Sequence, residues 1–216
     1  MDAGGQQISG NQNVQVQGDG NTINVSYHAP APAPTIALAA VQALLDTMPL
    51  NMVPDVGALP TPHRMLLPAN PRFVGREGDL LALARALRPG GVAAITTGIG
   101  GVGKTQLASE FAHRYGQYFA GGVFWLSFAD PAGVGTEIAA CGEAGALGLY
   151  ADADELTIAE RVQKVYQTWE QPIPRLLIFD NCEDEALLAA RLPRSGGCRV
   201  LVTSRSGQWR DPRVAA

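Results

Sequence analysis

The feature that most constrains the fold is a glycine-rich octapeptide between an apolar run and an amphipathic segment. Residues 98–105 read GIGGVGKT, and the apolar run at residues 92–97 precedes them. The segment that follows carries apolar side chains at helical spacing, namely Leu107, Ala108, Phe111, Ala112 and Tyr115. Glycines let successive backbone N–H groups surround phosphate oxygens without a steric clash. The octapeptide therefore predicts a phosphate-binding loop between a strand and a helix at about residues 103–118.

The chemistry of such a loop assigns a role to each of its residues. The backbone that would surround the phosphates belongs to Gly98, Gly100, Gly101, Val102 and Gly103. Lys104 is expected to bridge the β- and γ-phosphates of ATP or ADP, and the Thr105 hydroxyl to coordinate Mg²⁺. The alternative is a glycine-rich turn that matches the motif by chance. The flanking strand and helix count against that alternative.

An acid at the end of another apolar run would complete a metal site. Residues 175–180 read RLLIFD, so Asp180 follows a buried-type strand. Asp180 is expected to act on the Mg²⁺ held by Thr105, either directly or through a coordinated water. The alternative role is an N-cap for the helix predicted near residues 185–192, and the two roles are compatible.

A third polar group follows the strand at residues 199–205, which reads RVLVTSR. Parallel sheets bind ligands outside the carboxyl ends of their strands, so Arg205 is expected to contact a γ-phosphate. Its planar guanidinium could then distinguish ATP from ADP. A solvated arginine in the next loop is the alternative. Lys104, Asp180 and Arg205 are the candidate catalytic residues, and they converge on one edge of one sheet.

Strands and helices alternate from residue 73 onward. The predicted strands are residues 92–97, 122–128, 176–179 and 200–202; the predicted helices are residues 77–87, 103–118, most of 133–169 and about 185–192. Near-continuous apolar strands that alternate with helices indicate an α/β fold with a parallel sheet covered on both faces. A helical stretch at residues 36–48 and a proline-interrupted, irregular stretch precede this region.

The first 27 residues are rich in Gly, Asn and Gln and contain no Lys or Arg. They read as two short alternating strands around a turn at residues 18–20. A lone hairpin this polar should not be stable, but copies stacked in register could form Asn and Gln ladders over an apolar seam. A disordered polar tail is the alternative. A proline-rich linker with one helical segment, residues 28–66, would connect this segment to a nucleotide-binding domain at residues 67–216.

In this order, the strings FVGRE at residues 73–77, GIGGVGKT, LLIFDN and VLVTSR resemble the NB-ARC branch of the STAND ATPases. Members of that family are P-loop NTPases and act as nucleotide switches in NLR-type immune and cell-death proteins. The resemblance covers about residues 67–209. It implies that Val74, Gly75 and Arg76 lie near the adenine and ribose, and that Arg205 is the sensor arginine.

Two departures from the family pattern affect the expected ATPase activity of this chain and the edge of its predicted sheet. Asn181 stands where many members carry a second acid, and a neutral amide cannot act as a general base. Glu183 and Asp184 follow, but they lie too far along the chain to take the place of that second acid. At most a slow ATPase used as a switch is expected. Members also continue with a further strand, so the chain is expected to be incomplete and to leave the strand at residues 92–97 as an unpaired edge.

The N-terminal segment resembles amyloid signalling motifs of NLR-like proteins, including the pseudo-palindromic kind related to RIP homotypic interaction motifs. The match rests on Val14-Gln15-Val16, followed by Gly18 and Asn21. The two resemblances together imply a homo-oligomer on activation that clusters this motif and triggers a downstream effector carrying a matching one, in an immune or cell-death response. An ATPase or kinase acting on a small substrate, and a STAND transcription regulator, remain as alternatives.

Charge, apolar run length and cysteine content indicate the partners and the cellular location to expect. The net charge of −4 argues against nucleic acid as a partner. No apolar run approaches the ~20 residues that span a bilayer, and the start lacks a secretion signal. The three cysteines have no metal-ligand spacing. These features predict a cytoplasmic protein with no membrane span and with reduced, buried thiols.

Overall fold

The computed structural model describes residues 12–18, 21–27, 37–96, 103–151, 155–206, 209 and 214–215. The chain divides after Ile36 into two compact units. The first contains strands β1 (Gln12–Gly18) and β2 (Asn21–Tyr27), which pair antiparallel. Their register places Val14 opposite Val25 and Val16 opposite Ile23. The alternating sequence predicted two strands here; Asp19 and Gly20, in the predicted turn, lie outside the described residues.

The second unit is a three-layer α/β domain. Its strands are β3 (His63–Arg64), β4 (Gly91–Thr96), β5 (Val123–Ser127), β6 (Arg175–Asp180), β7 (Cys198–Ser204) and β8 (Val214–Ala215). Its α-helices are α1 (Leu38–Asp46), α2 (Glu77–Leu87), α3 (Lys104–Tyr115), α4 (Val134–Ala140), α5 (Ile158–Trp169) and α6 (Glu185–Arg191). The strand order is β3-β5-β6-β7-β4-β8, and every neighbouring pair is parallel. The predicted parallel α/β class is confirmed, and it is compatible with a P-loop NTPase fold.

Helices cover both faces of this sheet. One core cluster contains buried residues of α1, α2 and α3, and the other contains buried residues of α4, α5 and α6. Strand β6 contributes to both clusters, because Leu176 and Ile178 belong to the first and Leu177 and Phe179 to the second. A strand that is buried on both faces carries apolar side chains at nearly every position. This explains the continuous apolar runs in the sequence.

Two helical predictions need adjustment. Helix α1 was predicted at residues 36–48 and lies at Leu38–Asp46, where Val41 and Leu45 are buried. Helices were predicted to fill most of residues 133–169, but α4 and α5 occupy only about half of that range, and the described residues between them are turns and irregular chain. Gly145 and Gly148 have φ angles of 86° and 62°, which a right-handed helix cannot contain.

The two shortest strands were missed, and one of them changes the predicted sheet edge. Strand β3 is parallel to β5 although prolines surround it. Strand β8 pairs Val214 with Val92 and Ala215 with Ala93. The expectation that β4 is an unpaired edge is therefore wrong over these two positions. A two-residue strand carries no periodicity that a sequence pattern could reveal.

Two findings bear on the surroundings of the chain. Within the part of the chain that the structure describes, no helix is both long enough and apolar enough to cross a membrane. Cys141 and Cys182 are buried as predicted, whereas Cys198 is half-buried. Burial raises the pKa of Cys141 to about 12 and that of Cys182 to about 11. These thiols are therefore protonated and unreactive at neutral pH.

The packing of α1 predicts different costs for two neighbouring leucines. Leu45 is fully buried, whereas Leu44 is 39% exposed. We expect Leu45→Ala to lower the free energy of unfolding by about 2–5 kcal/mol, because it leaves a cavity. Leu44→Ala should change it by no more than about 0.5 kcal/mol. Urea unfolding of the full chain, followed by tryptophan fluorescence, measures both. Equal losses would contradict the packing of α1 against the core.

Candidate functional site

Helix α3 begins where the glycine-rich octapeptide ends. Gly103 is its N-cap residue and has a φ angle of 78°, a conformation that favours glycine. Its carbonyl accepts a 2.8 Å hydrogen bond from the Leu107 N–H. Lys104 and Thr105 form the first turn of the helix and are half-buried. Four other residues predicted to contact phosphate lie outside the described residues: Gly98, Gly100, Gly101 and Val102.

The structure brings Thr105 and Asp180 together. The Thr105 hydroxyl donates a hydrogen bond of 3.0 Å to Asp180 Oδ1. The hydroxyl of Thr203, which is buried, donates to the same oxygen at 2.5 Å. Thr105 is in the first turn of α3, Asp180 ends β6, and Thr203 is near the end of β7. We call Thr105, Asp180 and Thr203 the Asp180 network; it joins three elements at the carboxyl edge of the sheet.

The chemistry of these groups fits a small hard cation. Mg²⁺ prefers oxygen ligands and is commonly held by one or two carboxylates together with phosphate oxygens. A threonine hydroxyl and an aspartate carboxylate are already in contact here. They lie beside the N-terminus of α3, whose dipole favours an anion such as phosphate. The described residues therefore suit a magnesium–phosphate group.

The chain turns sharply after Asp180, and a later residue caps the helix that follows. Asn181 has a φ angle of 62°, which asparagine tolerates better than most residues, and its N–H donates to the Thr203 hydroxyl at 2.9 Å. The N-cap of α6 is Asp184, whose Oδ1 accepts from the N–H groups of Ala186 and Leu187 at 2.8 and 3.2 Å. The alternative prediction of Asp180 as an N-cap is therefore wrong.

Arg205 immediately follows β7 at the predicted edge, where it is paired with Glu183. Arg205 Nε lies 3.1 Å from Glu183 Oε1, and the Ser204 hydroxyl donates to Glu183 Oε2 at 3.1 Å. Partial burial raises the pKa of Glu183, but the hydrogen bonds from Arg205 and Ser204 outweigh it and hold the pKa below its usual range. The resulting stabilisation is present above the ordinary pKa of glutamate and is lost as the pH falls through the lowered value.

The residues assigned to the nucleotide base by resemblance lie at the start of α2. The Val74 side chain is 82% exposed, and Gly75 has a φ angle of 75°. Arg76 is the N-cap residue of α2, and its Nε donates to Asp79 at 2.7 Å. A little earlier in the chain, Asn70 contacts Gln106 at 3.3 Å. That contact places the preceding loop against the helical turn that carries Lys104 and Thr105.

Comparison with known proteins gives a partial relation. The chain is 35% identical over 149 residues to the regulatory protein AfsR of Streptomyces griseus, which covers 64% of this chain and 15% of AfsR. It is 34% identical over 140 residues to AfsR of Streptomyces coelicolor strain ATCC BAA-471, which covers 62% of this chain and 14% of that protein. No family model matches. The chain is thus similar to part of two regulatory proteins and spans about 15% of their length.

The Asp180 network predicts that the buried threonine is important for stability. Thr203→Val keeps the shape of the side chain but removes both the donor to Asp180 and the acceptor for the Asn181 N–H. We expect it to lower the free energy of unfolding by about 1–3 kcal/mol, because polar groups lose their partners. Thr168→Val, at a surface bond to Lys164, should change it by no more than about 0.5 kcal/mol. Chemical denaturation of both variants tests this, and similar losses would contradict it.

Proposed function

We propose that residues 67–216 form a nucleotide-binding domain that switches a regulatory protein between two states. The observation that carries this proposal is the contact between Thr105 and Asp180 at the start of α3. In the proposed site Lys104 bridges the β- and γ-phosphates of ATP, and Thr105 and Asp180 hold Mg²⁺. Arg205 contacts the γ-phosphate when ATP is bound. The glycine-rich loop would surround the phosphates, and residues 74–76 would lie near the base.

A regulatory role is favoured over metabolic turnover by two features. Both similar proteins carry the description of a regulatory protein. Asn181 follows Asp180, and its amide cannot remove a proton from an attacking water. Slow hydrolysis suits a switch, in which the bound nucleotide selects the state. Steady turnover at or above about 1 s⁻¹ would instead favour an ATPase or kinase acting on a small substrate.

The output proposed for the switch is clustering of the N-terminal hairpin. ADP would hold the full-length protein closed, and exchange for ATP would favour a homo-oligomer, which raises the local concentration of the hairpin. The antiparallel register of β1 and β2 supports this, because it pairs valine and isoleucine positions across the hairpin. Stacked copies would template the same fold in a cytoplasmic effector. The second candidate is a STAND transcription regulator with the same nucleotide site and no templating step. The similarity to two proteins described as regulatory is compatible with it.

The nucleotide site predicts a large effect of removing Lys104. We expect Lys104→Ala to weaken binding of Mg²⁺-ATP to the full chain by at least about tenfold, because a charged hydrogen bond contributes roughly 1.5–3 kcal/mol. Lys164→Ala removes the same charge from an exposed position on α5 and should leave the affinity unchanged. Isothermal titration calorimetry compares the variants. Unaltered ATP affinity in Lys104→Ala would overturn the site assignment.

The clustering step predicts that the hairpin assembles without the rest of the chain. A peptide of residues 8–27 in neutral buffer should form fibrils that bind thioflavin, seed fresh peptide and diffract at the ~4.7 Å strand spacing. The same peptide with Val16→Pro should not assemble, because proline removes a ladder hydrogen bond. A wild-type peptide that stays soluble would contradict the templating output and leave the nucleotide site unaffected.

A further inference from the structure

Glu183 lies in a short loop that is fixed at both ends. On one side the Cys182 N–H donates to the Thr203 carbonyl at 2.9 Å. On the other side Asp184 caps α6 through two backbone hydrogen bonds. The backbone on both sides of Glu183 is therefore anchored beside the carboxyl edge of the sheet.

The Glu183 carboxylate accepts hydrogen bonds from two consecutive residues at the end of β7. The Ser204 hydroxyl reaches Oε2 at 3.1 Å. The Arg205 N–H lies 3.1 and 3.0 Å from Oε1 and Oε2, and Arg205 Nε lies 3.1 Å from Oε1. Only the last of these contacts involves the guanidinium of Arg205. The guanidinium could leave Glu183 while the hydroxyl and the backbone N–H keep the carboxylate in place.

The arginine is the accessible member of this pair. Its side chain is 65% exposed, compared with 31% for Glu183. A guanidinium carries five N–H donors and binds phosphate as readily as it binds carboxylate. A γ-phosphate brought to this edge would compete with Glu183 for the same cation.

We propose that Glu183 is a specificity-determining residue of the nucleotide site, which disfavours ATP relative to ADP by holding the Arg205 guanidinium. This inference rests on the proposed nucleotide-binding function. Glu183 contacts Arg205 and Ser204 and acts on the ligand through the arginine. Release of Nε from Glu183 is the local event that would distinguish a triphosphate-bound state from a diphosphate-bound state.

The test is the ratio of two affinities in the full chain. Isothermal titration calorimetry gives Kd for Mg²⁺-ADP and for the Mg²⁺ complex of the β,γ-methylene analogue of ATP. Glu183→Gln keeps an oxygen acceptor but removes the charge. We expect it to tighten binding of the analogue relative to ADP by about two- to fivefold, the range of a partly exposed ion pair. Glu170→Gln, which removes a charge at the amino-terminal edge of the sheet, should leave the ratio unchanged.

A double variant tests whether the effect passes through the arginine. In an Arg205→Gln background, Glu183→Gln should change the ratio much less than in the unchanged chain. An undiminished effect there would overturn the inference. So would an equal change in both affinities, or a weaker affinity for the analogue in Glu183→Gln.

Two further outcomes are covered. If Glu183→Gln does not fold, Glu183→Asp replaces it, because it keeps the charge and shortens the reach to Nε. The shift toward the analogue is expected there too, and its absence would overturn the inference. If the unchanged chain binds neither nucleotide, the proposed function and this inference are both overturned. If it binds both, and Glu183→Gln leaves the ratio of the two affinities unchanged, only the inference is overturned.

Discussion

The Asp180 carboxylate accepts hydrogen bonds from two threonines on different elements, and much of the carboxyl edge of the sheet depends on that oxygen. Thr105 connects it to the first turn of α3, and Thr203 connects it to β7. Thr203 also accepts the N–H of Asn181, so the same hydroxyl fixes the turn after β6. These two donors fix the orientation of the half-buried carboxylate, as a metal ligand requires.

This arrangement explains why the functional groups gather at one edge. All strands of the sheet in the second unit are parallel, so β4, β6 and β7 end on the same side. The glycine-rich octapeptide follows β4, Asp180 is the last residue of β6, and Arg205 follows β7. The two faces of the sheet are filled with apolar side chains from both helical layers. Charged ligands are thereby excluded from the faces and directed to the strand ends.

The sequence predicted the long, strongly periodic elements well and the short ones poorly. Helix α2 begins and ends at the predicted residues. Thr105 and Asp180, each predicted from its own motif to bind the same metal ion, are in contact. Strands β3 and β8 have two residues each, too few for a pattern. Glu183 lies too far along the chain from Asp180 to serve as the second acid of the motif. The sequence does not show that its loop folds back onto β7, where its carboxylate accepts a hydrogen bond from Ser204. Asp184 rather than Asp180 caps α6. The sequence alone could not choose between them, because both are acids that precede the helix.

The end of β7 couples two parts of the site that would otherwise be independent. Successive side chains of a strand point to opposite faces, so Thr203 reaches Asp180 while Ser204 reaches Glu183. Displacement of Arg205 by a ligand would act on Glu183, and Glu183 lies one residue from Cys182, whose N–H is bonded to Thr203. Under the proposed function, a change at the γ-phosphate position would be transmitted through these hydrogen bonds to the Asp180 carboxylate, the proposed metal ligand. A site built this way would sense the third phosphate and the metal together, as a two-state switch requires.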